Sequence, residues 1–381
     1  MSNIFFKSGK FEDCCDCEAC YNICPQKCIN HKEDSLMFSV PEIDLTKCIH
    51  CNLCSKICEE KNNIPVSKPK LIACASNNQE ILFNSSSGGF FFTFAEYLIK
   101  EYDAIIFGAA YDDDLELSHI AITELNNLRK IQKTKYTKSK LNNTFCEVEK
   151  FLKNNKIVLF SGLPCQISGL KSYLEMKKCD MSYLITIDLI CSGVPSPDIV
   201  KRYFTEKYDQ IVSIDFRDKE IAWNNPQIKI YTKNGIFTEN YYDSDFQFIF
   251  ANGLSTRKSC FQCVFSGTSH LSDFTIGDFW GIEENSSRFN TKKGVSEVLI
   301  HTEKGERYFN EIKELFQYEQ FNIDTIKLQE RLKSPPVLYG DQNFFSFLVK
   351  HFTIKKSVSI YKKEYNSLIK KVLMKFICFK R

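Results

Sequence analysis

The stretch VLFSGLPCQISGLKSYL, residues 158–174, combines the signals of a strand, a turn and a helix. Its first residues belong to a short apolar run, residues 156–162, that ends in glycine, which is typical of a buried strand. Residues 166–178 have the periodicity of a helix, and Cys165 stands at the junction between the two. The stretch therefore predicts an α/β unit with a thiol at the carboxyl end of a strand.

The same alternation of strands and helices extends on both sides of this stretch. Residues 103–111 and 183–193 are further apolar runs that end in turn residues, and residues 92–102 have helical periodicity. This pattern indicates an α/β region with a largely parallel sheet. Residues 227–242 alternate around an Asn-Gly pair at 234–235. Asn-Gly is the strongest signal of a type I′ hairpin, so an antiparallel addition is expected after the α/β core.

The amino-terminal region is dense in cysteine, with ten of the chain's 18 cysteines between residues 14 and 58. Two runs have the spacing C-x2-C-x2-C-x3-C, the spacing that binds a [4Fe–4S] cluster, and in two-cluster ferredoxins the fourth cysteine of each run ligates the other cluster. Paired zinc knuckles are the alternative, but zinc usually uses CxxC pairs, often with histidine. We therefore predict one cluster on Cys14, Cys17, Cys20 and Cys58, and a second on Cys48, Cys51, Cys54 and Cys24.

Several cysteines fall outside these two runs. Cys15 is out of phase with the spacing, and we expect it to face away from its cluster as a spare thiol. Cys28 is expected to pack as a small buried hydrophobe against a cluster, as free cysteine often does. The remaining cysteines without partners are interpreted as packing residues: Cys74, Cys146, Cys179 and Cys378.

A third set of four thiols lies farther along the chain. Cys165 and Cys191 each follow a predicted strand, and Cys260 and Cys263 form a CxxC pair in a polar loop. The carboxyl ends of strands in an open α/β sheet meet at one edge, where ligands bind. Spacing alone leaves three interpretations open: a further cluster, a zinc site, or buried structural thiols beside a redox-active pair.

Two segments have the composition of phosphate contacts. Residues 84–99 run from serines and glycines into an apolar helix, where Ser87, Gly88 and Gly89 could present backbone N–H groups to an anion such as a dinucleotide pyrophosphate. The alternative is a plain loop and helix cap. Residues 129–141 carry Lys and Arg without any acidic residue, which suits either a solvated surface or a phosphate contact.

Taken together, these motifs resemble the coenzyme F420 hydrogenase/dehydrogenase beta-subunit family, over roughly residues 10–310, and especially its bacterial members with an amino-terminal ferredoxin module with two [4Fe–4S] clusters. The resemblance rests on SSGGF, KYTKSKL, LFSGLPCQISGLKSYL, DLICSGVPSP, SCFQCVF and SDFTIGDFWGI. It implies FAD and a third [4Fe–4S] cluster. The implied cluster ligands are Cys165, Cys191, Cys260 and Cys263, and the implied flavin contacts are Ser87, Gly88, Gly89, Lys135 and Tyr136. Asp278, Phe279 and Trp280 match a family signature. Their role is either direct contact with the cofactor or the packing of an aromatic corner.

The expected fold class is α+β/α/β. An N-terminal bacterial two-cluster ferredoxin-like module precedes an α/β flavin-binding domain with an antiparallel β addition and a C-terminal helical tail. The predicted boundaries are residues 1–65 for the ferredoxin domain, 71–150 for the first beta-subunit region, 151–315 for the second with the third cluster and flavin, and 316–381 for the basic helical tail.

The resemblance implies an iron–sulfur flavin-dependent oxidoreductase. Electrons would pass between a ferredoxin-type donor, the clusters and FAD, with reduction or oxidation of a small molecule linked to polysaccharide or cell-envelope synthesis. One alternative is an electron-transfer subunit that feeds a partner enzyme without an organic substrate of its own. Another is a polyferredoxin-like module whose α/β domain has lost its flavin. The histidines fall in no recognisable motif, so no catalytic acid or base is assigned.

Composition bounds the partners and the compartment. A net charge of +3 over 381 residues gives no general reason to expect nucleic-acid binding. The chain opens without a secretory signal, and closely spaced cysteines suit metal in a reducing cytoplasm. Residues 353–381 carry nine Lys/Arg against one Glu, as in a basic amphipathic helix. That helix has the composition for contact with an anionic membrane surface, but packing on its own domain is favoured. Its apolar side would contain Leu368, Ile369, Val372, Leu373 and Phe376.

Overall fold

The computed structural model of the protein describes residues 11–60, 64 and 68–364. The apolar side predicted for the terminal helix and Cys378 lie outside these residues. Helical structure from residue 354 continues to residue 364, and in it Ile354, Val358 and Tyr361 are buried. They pack with Phe345 and Phe246 in one apolar cluster, so this part of the terminal segment packs on its own chain.

The amino-terminal part of the described chain consists of two short helices and a hairpin. Strands β1 and β2 pair in antiparallel fashion, and both helices contact each other and a later helix of the α/β region. The elements are α1 (Ala19–Ile23), β1 (Ile29–Glu33), β2 (Ser39–Ile43) and α2 (Leu53–Glu60). Cys24 caps the end of α1 and Cys58 lies in the last turns of α2. The last cysteine of each run is thus held by a helix.

Eleven further strands follow in the described residues, in two sheets. Their bounds are β3 (Lys70–Ser76), β4 (Ile105–Tyr111), β5 (Leu117–Ile122), β6 (Val158–Gly162), β7 (Leu184–Leu189), β8 (Ile211–Asp218), β9 (Gln227–Thr232), β10 (Gly235–Asn240), β11 (Phe274–Asp278), β12 (Ser296–Ile300) and β13 (Phe316–Phe321). The large sheet has the order β13-β3-β12-β11-β7-β6-β4-β5, and the small one has the order β10-β9-β8. The predicted strands at 103–111, 156–162 and 183–193 correspond to β4, β6 and β7, which begin one or two residues later.

Helices cover both faces of the large sheet. The further helices are α3 (Gln79–Asn84), α4 (Phe90–Tyr102), α5 (Thr144–Lys153), α6 (Pro164–Met176), α7 (Pro197–Thr205), α8 (Asp245–Ala251), α9 (Glu303–Ile312) and α10 (Gln342–His351). Of these, α7, α8 and α10 pack with the small sheet. Neighbouring strand residues point to opposite faces. Ile106 accordingly packs with α4 and α9, whereas Phe107 packs with α5 and α6. The α/β prediction is confirmed as a three-layer arrangement.

The large sheet is mixed, which corrects the expectation of a largely parallel one. Strands β11, β7, β6 and β4 are parallel, but β5, β12, β3 and β13 pair in antiparallel fashion. Strand β13 also lies in the region predicted to be helical from residue 316. The antiparallel strands were not apparent because several of them are short and carry polar residues, so that no long apolar run marks them. One sheet therefore joins strands from all three regions predicted after residue 70.

The predicted hairpin at 227–242 is formed by β9 and β10, but its turn differs from the prediction. Gly235 pairs with Thr232, so the turn contains Lys233 and Asn234. Neither turn residue has the positive φ that a type I′ turn requires, whereas Gly235 has φ 143°. The glycine is used after the turn instead of within it.

Candidate functional site

The first predicted cluster group is brought together in the structure. Cys14, Cys17, Cys20 and Cys58 all line one small cavity of about 20 Å³ between α1, α2 and the preceding loop. Cys15 is not among the residues that line this cavity. The group therefore combines three cysteines of the first run with the last cysteine of the second run, as the cross-over rule predicts.

The second predicted group also has its members close together. The Cys24 and Cys28 Sγ atoms are 3.4 Å apart, and the Cys28 thiol is also hydrogen-bonded to Cys48. Cys54 lies within electrostatic reach of Cys24 and Cys51. Burial raises the pKa of Cys28 to about 12, with smaller contributions from Cys24 and Cys48. Cys28 is thus a buried thiol packed against this group, as expected.

The third predicted group contains five thiols, because Cys15 joins the four expected members. The Cys15 side chain is hydrogen-bonded to Cys165 and lies within electrostatic reach of Cys260 and Cys263. Cys191 lies within the same reach of Cys165, Cys260 and Cys263. Burial raises the pKa of Cys260 to about 11 and raises that of Cys191 still further. The sequence-based interpretation of Cys15 as a thiol without a site missed this contact.

The thiol groups can be compared with the donor sets of a single metal ion and of a [4Fe–4S] cluster. In the described part of the chain, no three His, Cys, Asp or Glu side chains meet at one single-ion site. A [4Fe–4S] cube is held by four cysteine thiolates, one on each iron, so its donors surround a volume instead of a point. The structure brings the predicted ligands into three groups of neighbouring thiols, and their assignment as ligands stays a prediction.

Buried cations attach the loop of residues 14–18, which we call the cysteine loop, to the α/β region. Lys138 Nζ is 3.1 Å from an Asp16 carboxylate oxygen and donates to the Cys15 carbonyl oxygen over 3.0 Å. Arg257 pairs with the same carboxylate at 3.4 Å and donates to the Cys14 carbonyl oxygen over 3.2 Å. Burial lowers the pKa of Lys138, but Asp16 and Cys165 raise it to a net value above its usual range. Both cations therefore stay charged between the first and third thiol groups.

Helix α6 connects the first and third groups directly. Cys165 lies in its first turn, at the edge where the parallel strands end. One turn farther on, a Cβ at Gly169 would be 3.1 Å from the Cys17 Cβ. A side chain at this position would push against Cys17, so the glycine favours the close approach of residue 17 to the helix.

A cavity of about 340 Å³ lies at the same edge of the sheet. Of the predicted flavin contacts, Ser87, Gly89, Lys135 and Tyr136 line it. Gly88 does not, because it packs against the sheet: a Cβ there would be 2.2 Å from the Cys74 carbonyl oxygen.

The cavity also reaches the third thiol group, because Cys191 is one of its lining residues. The loops that follow β6 and β7 line the cavity, so it lies at the carboxyl ends of these strands. That is where ligands bind in open α/β sheets.

The serine loop before α4 is held by hydrogen bonds to the segment around residue 134. Ser86 Oγ accepts from the Thr134 N–H over 2.9 Å, and Gln132 Nε2 donates to Ser85 Oγ over 3.2 Å. Lys219 Nζ donates to three carbonyl oxygens, including that of Ser87 at 2.9 Å. The two predicted phosphate-contact segments thus form one wall.

An arginine that the sequence did not single out also lines the cavity. Arg217 of β8 is buried and pairs with Asp278 at 3.0 Å, which also accepts from the Trp223 indole over 3.1 Å. Trp280 stacks on Trp223 at 4.7 Å. Asp278 and Trp280 line the cavity, whereas Phe279 lies in an apolar cluster away from it. The family signature therefore combines cavity and packing residues.

Two buried polar atoms of the lining have no hydrogen-bond partner within the described residues. They are the Arg217 Nε and the Thr137 Oγ1. Buried polar atoms normally have partners, so such exceptions mark places where a ligand or a water molecule would bind. A bound molecule with oxygen acceptors would satisfy both.

His119 lines the cavity but is bonded as a neutral structural residue. Its Nε2–H donates to the Ser161 carbonyl oxygen over 2.7 Å, so Nδ1 accepts from the Ser139 hydroxyl over 2.7 Å. Burial lowers its pKa to about 4. Near neutral pH the ring is therefore not in the imidazolium form that would act as an acid.

Comparison with known families gives a match to the part of the chain that carries the third thiol group. Residues 155–325 match the family described as the C terminus of the beta subunit of coenzyme F420 hydrogenase/dehydrogenase. The match contains Cys165, Cys191 and the Cys260–Cys263 pair, so the family prediction is confirmed over the segment that carries the third thiol group.

Other comparisons give less. A chain of the F420-reducing [NiFe] hydrogenase complex from Methanosarcina barkeri, in a xenon-derivatised structure, has a TM-score of 0.47 and 15% identity. The alignment covers 79% of this chain and 92% of that chain. Comparison with curated proteins gave no match. The described helices include none that is long and apolar enough to cross a bilayer.

The matched residues 155–325, which we call the beta-subunit segment, supply only part of the cavity. Arg217, Asp278 and Cys191 come from it, whereas the serine loop and Lys135 come from residues before it. The signal that could have identified Arg217 is its place in a buried strand, since an arginine there needs a carboxylate or a ligand. Spacing could not have identified it, because its partner Asp278 is 61 residues away.

Proposed function

We propose that this chain is an iron–sulfur flavoprotein oxidoreductase. In this proposal it holds two [4Fe–4S] clusters in its amino-terminal part, a third on the thiols of the beta-subunit segment, and FAD in the neighbouring cavity. A ferredoxin-type partner exchanges electrons with the clusters. The reaction is the reduction or oxidation of a small molecule linked to polysaccharide or cell-envelope synthesis, in the cytoplasm.

The single observation that carries the proposal is the position of Cys191. It lies among the thiols of the third group and at the same time lines the 340 Å³ cavity. A one-electron carrier held by this residue would be in contact with whatever occupies the cavity. The groups occur in the order that electron transfer requires: first thiol group, α6, third thiol group, cavity.

The cavity has the chemistry for a flavin dinucleotide. Its volume lies within the range of about 300–1,000 Å³ that is usual for cofactor sites. Lys133, Lys135 and Arg217 give it positive charge for a pyrophosphate, and the start of α4 adds the N–H groups of a helix terminus. The unpartnered Arg217 Nε and Thr137 hydroxyl would find acceptors on the cofactor.

The chain's own residues would bind and orient, while the cofactors supply one- and two-electron chemistry. Arg217 is fixed by Asp278 and so presents its remaining N–H groups in one orientation. Lys219 holds the Ser87 carbonyl and with it the loop before α4. His119 is neutral and fully bonded, so we assign it a structural role.

The proposal is tested by anaerobic purification with iron, sulfide and flavin quantified per chain. The expected result is about twelve iron atoms and about one FAD, from three four-iron clusters. About eight iron atoms would refute the third cluster, and a protein without flavin would refute the oxidoreductase.

A second candidate function is an electron-transfer subunit that feeds a partner enzyme. The family description supports it, because it refers to a subunit of hydrogenases and dehydrogenases. Turnover of a small molecule by the isolated chain with an artificial electron donor separates the two functions. Reduction of FAD without turnover of any candidate substrate would favour the subunit.

Flavin binding is expected to weaken as the pH rises above about 7. Burial lowers the pKa of Lys135 from its usual 10.5 to about 7, so this residue loses its proton in the free protein above that pH. A bound pyrophosphate would raise the pKa again, and binding would take up a proton between about pH 7 and 10. The dissociation constant should then rise by up to about ten-fold per pH unit in that window.

This dependence can be measured by titrating the flavin-free protein with FAD at pH 6.5, 8 and 9. Lys135→Met should weaken binding at pH 6.5 and flatten the pH profile. Lys130→Met, an exposed lysine of the same segment, is the matched control and should keep the wild-type profile. An unchanged slope in Lys135→Met would show that another group takes up the proton.

A further inference from the structure

We propose that the Cys15 thiol belongs to the third cluster site, where it donates a hydrogen bond to the sulfur of Cys165 and raises the reduction potential of that cluster. This inference rests on the third cluster of the proposed function. It assigns Cys15 to a different site from its sequence neighbours Cys14 and Cys17.

The position of Cys15 separates it from the first cluster group. Cys14 and Cys17 line the small cavity of that group, and Cys15 does not. Its side chain instead contacts Cys165 in the first turn of α6, and it packs partly buried against the apolar cluster beneath that helix.

The backbone around Cys15 is held on both sides, so this contact is not left to a free loop. Lys138 Nζ donates to the Cys15 carbonyl oxygen over 3.0 Å. The preceding carbonyl, that of Cys14, accepts from Arg257 over 3.2 Å and from the Ser259 hydroxyl over 3.0 Å. Ser259 and Arg257 lie just before Cys260 in sequence, so the same segment presents a predicted cluster ligand and fixes Cys15 beside it.

The number of thiols decides the role of Cys15. A [4Fe–4S] cluster has four thiolate positions, and the third group has five thiols. When Cys165 binds iron its sulfur carries no proton, so only Cys15 can act as the donor in the contact between them. S–H is a weak donor, but hydrogen bonds to cluster sulfurs are among the factors that set reduction potentials.

The direction of the effect follows from charge. Reduction adds one electron to the cluster and no bond is made or broken. The added negative charge is shared by the cysteine sulfurs, so a hydrogen bond to a sulfur becomes stronger in the reduced state. Removing the donor should therefore favour the oxidised cluster.

The arrangement also connects two cluster sites through one peptide unit and one hydrogen bond. Cys14 is a predicted ligand of the first cluster, and the next residue contacts a predicted ligand of the third. A single peptide unit therefore joins the surroundings of the two clusters. This contact continues the order of groups from the amino-terminal part toward the cavity.

The test compares Cys15→Ala and Cys15→Ser with the wild-type holoprotein and with Cys179→Ala as the control. Cys179 is a half-buried cysteine that follows a turn, at least 12 residues from every predicted ligand. Iron is quantified per chain, and the clusters are followed by electron paramagnetic resonance during a redox titration. Unfolding curves show whether each variant is folded.

The expected result is full iron content in all variants and a lower potential for one cluster in Cys15→Ala. At a fixed potential its ratio of reduced to oxidised cluster should fall by about five-fold, the size of one modest hydrogen bond. Cys15→Ser should retain most of the wild-type ratio because a hydroxyl also donates. Cys179→Ala should match the wild type.

Two outcomes would overturn the inference. Unchanged reduction potentials in Cys15→Ala would show that Cys15 donates no hydrogen bond that affects the cluster. A loss of about four iron atoms in both Cys15 variants would show that Cys15 is a ligand instead of a donor. Failure of the proposed function itself would look different, because the wild-type protein would then contain only about eight iron atoms.

Discussion

Replacement of Cys191 by serine is expected to lower the iron content from about twelve to about eight atoms per chain. Cys191 lies within electrostatic reach of Cys165, Cys260 and Cys263, so it is the residue that completes four thiolates on the cavity side. Because it also lines the cavity, its loss should abolish reduction of FAD through the clusters. The two amino-terminal clusters should remain, since none of their predicted ligands is changed.

The fifth thiol of this group requires a double variant. Cys15 contacts Cys165 and is near Cys260, so it is close enough to replace a missing ligand. In the double variant Cys15→Ala/Cys191→Ser, Cys15 can no longer act as a replacement ligand. Its iron content should be about eight atoms per chain even if the single variant Cys191→Ser retains part of the third cluster. Cys74→Ala, which changes a buried cysteine of β3, is the control and should keep about twelve. Twelve iron atoms in the double variant would contradict the assignment of Cys191.

The parts of the fold that could be predicted from sequence have local signals. Strands β4, β6 and β7 are continuous apolar runs, and α4 and α6 have regular helical periodicity. Strand β13 contains three polar residues among six and only Phe316 is buried in it, so it has no such run. Its place at the edge of the sheet depends on pairing with β3, more than 240 residues earlier.

The candidate site divides in the same way. The spacing of the first two cysteine runs places Cys14, Cys17 and Cys20 within one loop, and a known rule adds Cys58 from the other run. The contact between Cys15 and Cys165 follows no spacing, because it arises when two regions 150 residues apart pack together. Arg217 was missed for the same reason: its carboxylate partner and its cavity form only in the folded chain.

Arg257→Leu is expected to destabilise the attachment of the cysteine loop to the α/β region, and this is the second large effect that we expect. The side chain of Arg257 is 5% exposed and donates to the carbonyl oxygens of Cys14 and Ser39 over 3.2 and 2.8 Å. It also pairs with Asp16 and lies 4.6 Å from the ring centre of Phe38. Removing one partner of a buried ion pair costs about 3–5 kcal/mol. Lys138 still pairs with Asp16, so the lower end of that range is expected.

The loss should be confined to the amino-terminal part, and two probes can separate it from the rest. Both tryptophans, Trp223 and Trp280, lie beyond the cysteine runs and report on the α/β region, whereas absorbance of the clusters reports on the thiol groups. In Arg257→Leu, cluster absorbance should be lost at a lower urea concentration than the change in tryptophan fluorescence. In the wild type the two transitions should lie closer together.

The neighbouring residue supplies a matched control for this variant. Lys258 pairs with Glu12, and the side chains are 36% and 59% exposed. An exposed pair contributes at most about 1 kcal/mol, so Lys258→Leu should leave both transitions nearly unchanged. Equal effects of the two variants would mean that general charge, and not the buried contacts of Arg257, holds the loop. A selective effect of Arg257→Leu would instead show that the arginine shortly before Ser259 and Cys260 fixes the distance between the first and third thiol groups.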